Sequence, residues 1–156
     1  MAEEGILRPR ELNSIQDLLE LSDIKGLDFH ELSAKRNPEA VGPATDGEDY
    51  SVKFDLSDMT TPTELNVRCR ATLALQSSTF VVDVSARYEF SEPCVYSPEL
   101  RQEFIERVGM MSVYPFIRQN FHAMSVQIGE TPILLPILRA NSIKLVRQDE
   151  IDSAVD

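Results

Sequence analysis

The sequence has no tryptophan and few of the side chains that commonly build reactive or metal-binding sites. Its only cysteines, Cys69 and Cys94, are far apart and belong to no C-x-x-C motif, so neither a disulfide framework nor a common zinc or redox motif is expected. We predict two reduced thiols. The only histidines, His30 and His122, form no H-x-x-H pair, and no Gly-rich phosphate loop is present. The sequence therefore predicts neither a metal nor a nucleotide cofactor.

Long apolar runs are also missing. The longest, ILLPIL at residues 133 to 138, is far shorter than the roughly 20 residues that a membrane-spanning helix needs. The first ten residues, MAEEGILRPR, carry acids where a signal peptide has basic residues, and no apolar stretch follows them. We therefore predict a cytoplasmic protein that does not insert into membranes.

Positive charge is scarce, since 15 Lys and Arg stand against 26 Asp and Glu and give a formal net charge of -11. Nucleic-acid binding is usually driven by clustered Lys and Arg, so this acidity disfavours a nucleic-acid partner and would favour a basic protein segment. Taken alone, the acidity is explained more simply as a means of keeping the protein soluble.

The chain does contain enough apolar material for one domain. With 156 residues that are 42% hydrophobic, it can bury most of the surface that the unfolded chain exposes, and a second domain has no room. We divide the domain into a helical extension (1–21), an antiparallel sheet (22–91), helices (98–128), an extended crossover (130–138) and a C-terminal helix with an acidic tail (141–156).

The clearest pattern lies between residues 50 and 90, where apolar and polar residues alternate in three runs. YSVKFDLS, TELNVRCRATLALQ and TFVVDVSARYEF each have the period of two that is typical of a strand, and the short QSST link suits a hairpin. An irregular strand, kinked at Gly26, is predicted from Ile24, and a long loop at 35–49. We expect the polar side chains of the runs to face water or a polar partner. They are Lys53, Asp55, Arg68, Arg70, Asp83, Arg87 and Glu89.

Apolar residues at spacings of three and four predict helices that cover the other face of the sheet. One helix spans residues 98 to 109 and ends at Gly109, and a second spans about 112 to 128 before Gly129. A short helix is predicted at residues 9 to 21, with Pro9 in its first turn.

The segment TPILLPIL cannot be helical, because Pro132 and Pro136 each remove a backbone donor, so we predict an extended conformation. Its apolar side chains have two interpretations. They either cover the sheet, as most apolar side chains do, or remain partly open. The strands, helices and this segment together need more cover than one small subunit offers. Such a surplus is normally resolved by a subunit interface or by a groove for apolar ligands.

From about Ile24 to Leu138 the chain resembles SecB, the cytosolic protein-export chaperone, and the SecB-like chaperones of toxin–antitoxin systems. The resemblance rests on YSVKFDLSD, on TFVVDVSARYEF leading into helix, and on YPFIRQNFHAM followed by TPILLPIL. It implies an α+β fold, a four-stranded antiparallel sheet with helices packed on one face, assembled as a homotetramer that is a dimer of dimers. It also implies a holdase that binds unfolded or partly folded polypeptides in apolar grooves without ATP.

Two departures from the export chaperone concern its partners. Residues 1 to 21 form a helical extension that the export type lacks, and the turn ALQSSTF has none of the acids that the export type uses to dock SecA. The resemblance therefore implies a dedicated client, such as an antitoxin, more readily than presecretory proteins handed to SecA. It also implies the residues of the client-binding groove. They are Val52, Phe54, Leu56, Phe116, Met124, Ile133, Leu134 and Leu135.

An enzyme and a protein with one fixed partner are the two other classes of function. Ser97, Cys94 and the scattered carboxylates form no recognisable nucleophile and base set, so we predict that the protein is not an enzyme. A non-chaperone scaffold or a small apolar ligand-binding protein would use the same apolar surplus for one fixed partner. That class stays open at the level of sequence.

Overall fold

The structure is a computed structural model that describes residues 8 to 39 and 51 to 137. Within these residues, four strands form one antiparallel sheet, and a long helix packs on one face of it. In chain order the elements are β1 (Arg10–Glu11), α1 (Ile15–Leu21), β2 (Ser22–Arg36), β3 (Ser51–Thr60), β4 (Glu64–Ala74), β5 (Ser78–Phe90), β6 (Cys94–Val95), α2 (Pro98–Phe104), a π turn (Ile105–Gly109) and α3 (Met110–Gln127).

The strands of the main sheet have the order β2–β5–β4–β3, which confirms the predicted four-stranded antiparallel sheet. Because side chains alternate between the two faces of a strand, every second side chain of β4 and β5 faces the helix. Those side chains are buried. The predicted hairpin joins these two strands, with the Leu75 N–H donating to the Ser78 carbonyl at 2.8 Å. In the described chain β2 and β3 lie at the edges of this sheet.

The irregular strand is also confirmed, because the pairing of β2 with β5 shifts register between Ile24 and Gly26 and again between Phe29 and Glu31. β2 continues to Arg36, so the first residues of the predicted loop at 35–49 belong to a strand. The loop from residue 40 onward and the predicted C-terminal helix at 141–156 lie outside the described residues.

The prediction that Gly109 ends a helix is wrong. Gly109 has φ −61° and ψ −50°, which are ordinary helical angles, and the Met110 N–H bonds the Ile105 carbonyl five residues back. The helix therefore runs without a break from α2 through the π turn into α3. Gly129, in contrast, has φ +78° and follows the end of α3, as predicted.

The N-terminal helix starts later than predicted, at Ile15 rather than at Pro9. The reason is the Ser14 side chain, which accepts the Asp17 N–H at 3.2 Å and caps the first turn. The residues before this cap pair with β6 in a short parallel bridge, and the Leu12 side chain is buried in the core.

The open face of the sheet is polar, and its central feature is Asp83 of β5 lying beneath two arginines of β4. Arg68 donates Nε and Nη2 to the two carboxylate oxygens at 2.9 and 2.8 Å, and Arg70 donates Nη1 at 3.2 Å, while the Asp83 side chain is only 2% exposed. Arg70 also pairs with Glu31 of β2 at 3.2 Å. Hydrogen bonding from Arg68 outweighs burial and lowers the pKa of Asp83. The network thus ties three neighbouring strands together.

We predict that Asp83→Asn lowers the free energy of unfolding at pH 7 by about 1.5 to 3 kcal/mol, because both arginines lose a charged acceptor. Since the pKa of Asp83 is lower in the folded chain, this contribution is present above the ordinary Asp pKa of about 3.9 and is lost as the pH falls through the folded value. Urea denaturation at pH 7 and pH 3, at one protein concentration, should show a smaller difference between parent and variant at pH 3.

The control for this prediction is Asp55→Asn, which alters an exposed carboxylate on β3 and should change stability by less than about 0.5 kcal/mol. An Asp83→Asn difference of the same size at both pH values would contradict an ionic origin.

Candidate functional site

Helix α3 divides the apolar face of the sheet into two flanks. On one side, the Tyr114 ring of α3 lies 6.2 Å from the Phe54 ring of β3. On the other side, the Phe116 ring lies 6.3 Å from the Phe29 ring of β2 in an edge-to-face contact. Tyr114 and Phe116 are two residues apart and therefore point to different sides of the helix. We call the surfaces on the two sides of α3 the β3 flank and the β2 flank.

The β3 flank is built first from alternate residues of an edge strand. Val52, Phe54 and Leu56 share the face that α3 covers, because they pair with buried residues of β4. Each of the three is only half-buried, since β3 has a neighbour on one side in the described sheet. They form an apolar row beside the helix.

The predicted crossover forms the other wall of the β3 flank. Residues 130–137 are neither helix nor strand, and side chains of α3 hold their backbone. The Ile133 N–H donates to Ser125 Oγ at 3.0 Å, Arg118 Nε donates to the Leu135 carbonyl at 2.7 Å, and the Tyr114 hydroxyl donates to the Pro136 carbonyl at 2.5 Å. Because these bonds use crossover backbone atoms, they leave its side chains available for other contacts.

The crossover side chains alternate in burial. Ile133 and Leu135 are 3% and 2% exposed, whereas Leu134 is 61% exposed and Ile137 is 80% exposed. The same segment therefore completes the core and presents large apolar side chains to the surroundings. Of the two interpretations drawn from the sequence, burial applies to Ile133 and Leu135, and accessibility applies to Leu134 and Ile137.

The eight predicted groove residues are not all brought together. Val52, Phe54, Leu56 and Leu134 lie on the β3 flank, with apolar surface accessible. Phe116 instead contacts Phe29 on the β2 flank.

The remaining three predicted residues pack against the core. Ile133 and Leu135 are buried, whereas Met124 is half-buried, as Phe54 is. The positions of Ile133 and Leu135 suit them to fix the crossover on the sheet.

The sequence does not predict several residues of this site, namely Tyr114, Arg118, Ser125 and Ile137. Tyr114 belongs to the motif that carries the resemblance, but the resemblance implies no groove role for it. Its spacing of four from Arg118 places both side chains on one helix face, and this spacing could have indicated that they hold the same segment. Ile137 is not predicted, because the apolar pattern of the crossover does not distinguish inward from outward side chains.

The chemistry of the β3 flank is apolar. Cys69 pairs with Leu56 across the sheet, and burial raises the pKa of its thiol to about 12, so it is not an activated nucleophile. In the described part of the chain, no three His, Cys, Asp or Glu side chains are grouped to hold a metal ion. What the flank offers is burial of apolar side chains between an extended edge strand and the crossover.

We predict that Ser125→Ala loosens the crossover, because the buried Ile133 N–H loses its acceptor. An unsatisfied buried donor costs about 1 to 3 kcal/mol, which corresponds to roughly 5- to 150-fold faster exchange of that amide if it exchanges by local opening. Hydrogen exchange followed by NMR measures this rate. The amides of β4 and β5 should keep their rates and serve as the internal control, whereas an unchanged rate at Ile133 would contradict the assigned bond.

None of the helices in residues 8–39 and 51–137 combines the length and apolar content that a membrane crossing requires. No protein-family model matches the chain. Among solved structures, the fold is similar to that of the SecB-like chaperone Rv1957 of Mycobacterium tuberculosis, determined in complex with a ChAD peptide from the HigA1 antitoxin. The TM-score is 0.67 at 18% identity, with 78% of this chain and 94% of that chain covered. This likeness establishes a shared fold.

A curated relative is closer in sequence. The SecB-like chaperone SmegB of Mycolicibacterium smegmatis is 30% identical over 144 residues, which cover 91% of each chain. Both relatives are named chaperones, and the match extends across the sheet, the long helix and the crossover. The resemblance identified from the sequence is thereby confirmed, and the chain belongs to the family of SecB-like chaperones.

Proposed function

We propose that this protein is an ATP-independent holdase that binds unfolded or partly folded polypeptides on the β3 flank. The observation that supports this proposal is the apolar row of Val52, Phe54 and Leu56, which lies on the same side of α3 as exposed Leu134 and Ile137. The edge strand is extended and the crossover side chains alternate in burial, so the accessible side chains of both suit an extended client. An unfolded chain can bury its own apolar residues there.

The energetics of such a groove favour holding over permanent binding. A client segment that buries about 500 Å² of apolar surface gains on the order of 12 kcal/mol. Ordering about eight residues costs roughly 1 to 2 kcal/mol each, which cancels most of the gain. One groove therefore binds weakly and exchangeably. The proposed activity needs no nucleotide, metal or catalytic group, and we propose that the protein is not an enzyme and acts in the cytoplasm.

A dedicated client such as an antitoxin fits this chain better than a presecretory protein. The relative from Mycobacterium tuberculosis was determined with an antitoxin peptide, and we propose the same class of client here. The turn between β4 and β5 has no acidic residue, and its Ser77 is buried, so this turn offers no acidic surface for SecA. Presecretory clients remain the alternative.

The β2 flank supports a homo-oligomer. Ile24, Phe29 and Leu32 are each between 43% and 48% exposed in the described structure, on the helix side of an edge strand. A row of half-exposed apolar residues on a strand edge is a typical surface for pairing with another chain. We propose a homotetramer, a dimer of dimers, in which repeated grooves raise the effective concentration for a long client.

The holdase is tested by light scattering of several unrelated denatured proteins without ATP. We expect the parent chain to suppress their aggregation, and Phe54→Ser or Leu134→Ser to weaken binding of an unfolded protein about 5- to 30-fold, since each change removes about 1 to 2 kcal/mol of apolar burial. Fluorescence anisotropy with labelled, reduced and carboxymethylated α-lactalbumin measures the affinity.

The matched control is Met59→Ser, which removes an exposed apolar side chain from the same strand but on the opposite face of the sheet. It should bind as the parent does. Suppression limited to one partner would favour the scaffold alternative, and equal affinities for the parent, Phe54→Ser and Leu134→Ser would remove these residues from the groove.

The oligomer is tested by multi-angle light scattering, for which we expect a mass of about four times 17.6 kDa. Phe29→Asp places a charge in the apolar row of β2 and should lower this mass. Val126→Asp alters a comparably exposed apolar residue of α3 away from that row and should not. A stable monomer for the parent chain would contradict the proposed assembly.

A further inference from the structure

Gly109 is a buried glycine that its backbone angles do not require. The φ and ψ values are those of any helical residue, and alanine is the better helix former. The reason for glycine lies in the contact with β4. A Cβ atom at Gly109 would lie 2.9 Å from both γ carbons of Val67, well inside the 3.5 to 4.0 Å that non-bonded carbons prefer. Glycine therefore permits an approach of helix to sheet that no other residue permits.

The π turn is what brings Gly109 to this position. The row of buried Leu100 and Phe104, which are four apart, continues at Gly109 five residues later, at the end of the π turn that buried Ile105 begins. An uninterrupted α-helix would continue the spacing of four and turn Val108 toward the strand. The extra residue of the π turn places the smallest side chain at the closest contact instead.

The helix is also fixed to β5 at this point. The Tyr88 hydroxyl donates to Ser112 Oγ at 2.6 Å, and Ser112 Oγ donates to the Val108 carbonyl at 2.9 Å. Gly109 and Ser112 thus dock one turn of the helix on two central strands. Tyr114 lies just over one turn beyond Gly109, where it forms the helix side of the β3 flank opposite Phe54.

We infer that Gly109 is a positioning residue for client binding: by letting the helix approach Val67, it sets the separation between Tyr114 and Phe54 on the β3 flank. This inference rests on the proposed function. A helix is stiff over one turn, so a displacement at Gly109 reaches Tyr114 and changes the surface that a client contacts. The contact acts through these two rings and does not itself touch the client.

The test is a steric rescue. Gly109→Ala should weaken binding of labelled, reduced and carboxymethylated α-lactalbumin by about tenfold, with the far-ultraviolet circular dichroism unchanged. Val67→Ala removes the opposing γ carbons, so the double variant should bind within about twofold of the Val67→Ala single variant, which is the matched control. Because the second truncation would also restore a merely structural loss, the separation of the Phe54 and Tyr114 rings in the variants is the readout that marks a positioning role.

Two results would overturn the inference. One is parent-like binding by Gly109→Ala, and the other is a double variant that stays as weak as Gly109→Ala alone. Should Gly109→Ala fail to fold, Val67→Ile is the substitute, because its larger side chain enters the same contact from the strand side. Weaker binding by Val67→Ile supports the inference, and parent-like binding overturns it.

A structural measurement separates this inference from the proposed function. If the parent chain does not bind the unfolded probe, the proposed function fails, and crystal structures of the variants still test the positioning role. A separation of the Phe54 and Tyr114 rings that grows beyond 6.2 Å in Gly109→Ala and returns in the double variant supports it. An unchanged separation in Gly109→Ala overturns it.

Discussion

The constraint on which this structure depends is one of width: a single helix has to cover a sheet of four strands. Neighbouring strands lie about 4.8 Å apart, so the outer strands are about 14 Å apart, whereas a helix with its side chains is only about 10 to 12 Å across. Helix α3 lies above the central strands, whose inward residues are buried. The inward residues of the edge strands are half-buried or exposed, although they have the same apolar character. The apolar residues of both edge strands are therefore incompletely covered because one helix is narrower than four strands.

The described chain treats its two uncovered edges differently. Beside β3, the crossover supplies a partial cover that is held through backbone atoms, so Leu134 and Ile137 stay accessible while Ile133 and Leu135 are buried. Beside β2, the Phe116 ring of α3 packs edge-to-face on Phe29 of the apolar row. A partly covered apolar surface suits clients that bind and exchange, whereas a long uncovered apolar row suits a permanent subunit interface. The different roles proposed for the two flanks follow from this difference.

The sequence predicted the sheet well, because a period of two is a local property that each run carries in its own residues. The sequence predicted less well which residues of α3 face β3 and which face β2. The separation of Phe116 from Phe54 depends on how α3 is rotated about its axis, and the π turn at Ile105–Gly109 changes that rotation without any local signal in composition. The sequence predicted that Gly109 ends a helix, because a glycine needed for close packing cannot be distinguished in the sequence from a glycine that ends a helix. The inward and outward residues of the crossover were likewise set by partners on α3, and these are distant in the sequence.

Occupation of the β3 flank by an unfolded polypeptide can be observed by methyl NMR of the full chain with reduced, carboxymethylated α-lactalbumin that carries nitroxide labels. We expect the methyl signals of Val52, Leu56 and Leu134 to broaden strongly and Val81, on the open face of the sheet, to keep its signal. Broadening at Val81 and Met59 with the β3 flank unaffected would rule out binding on this flank and would place the client on the polar face.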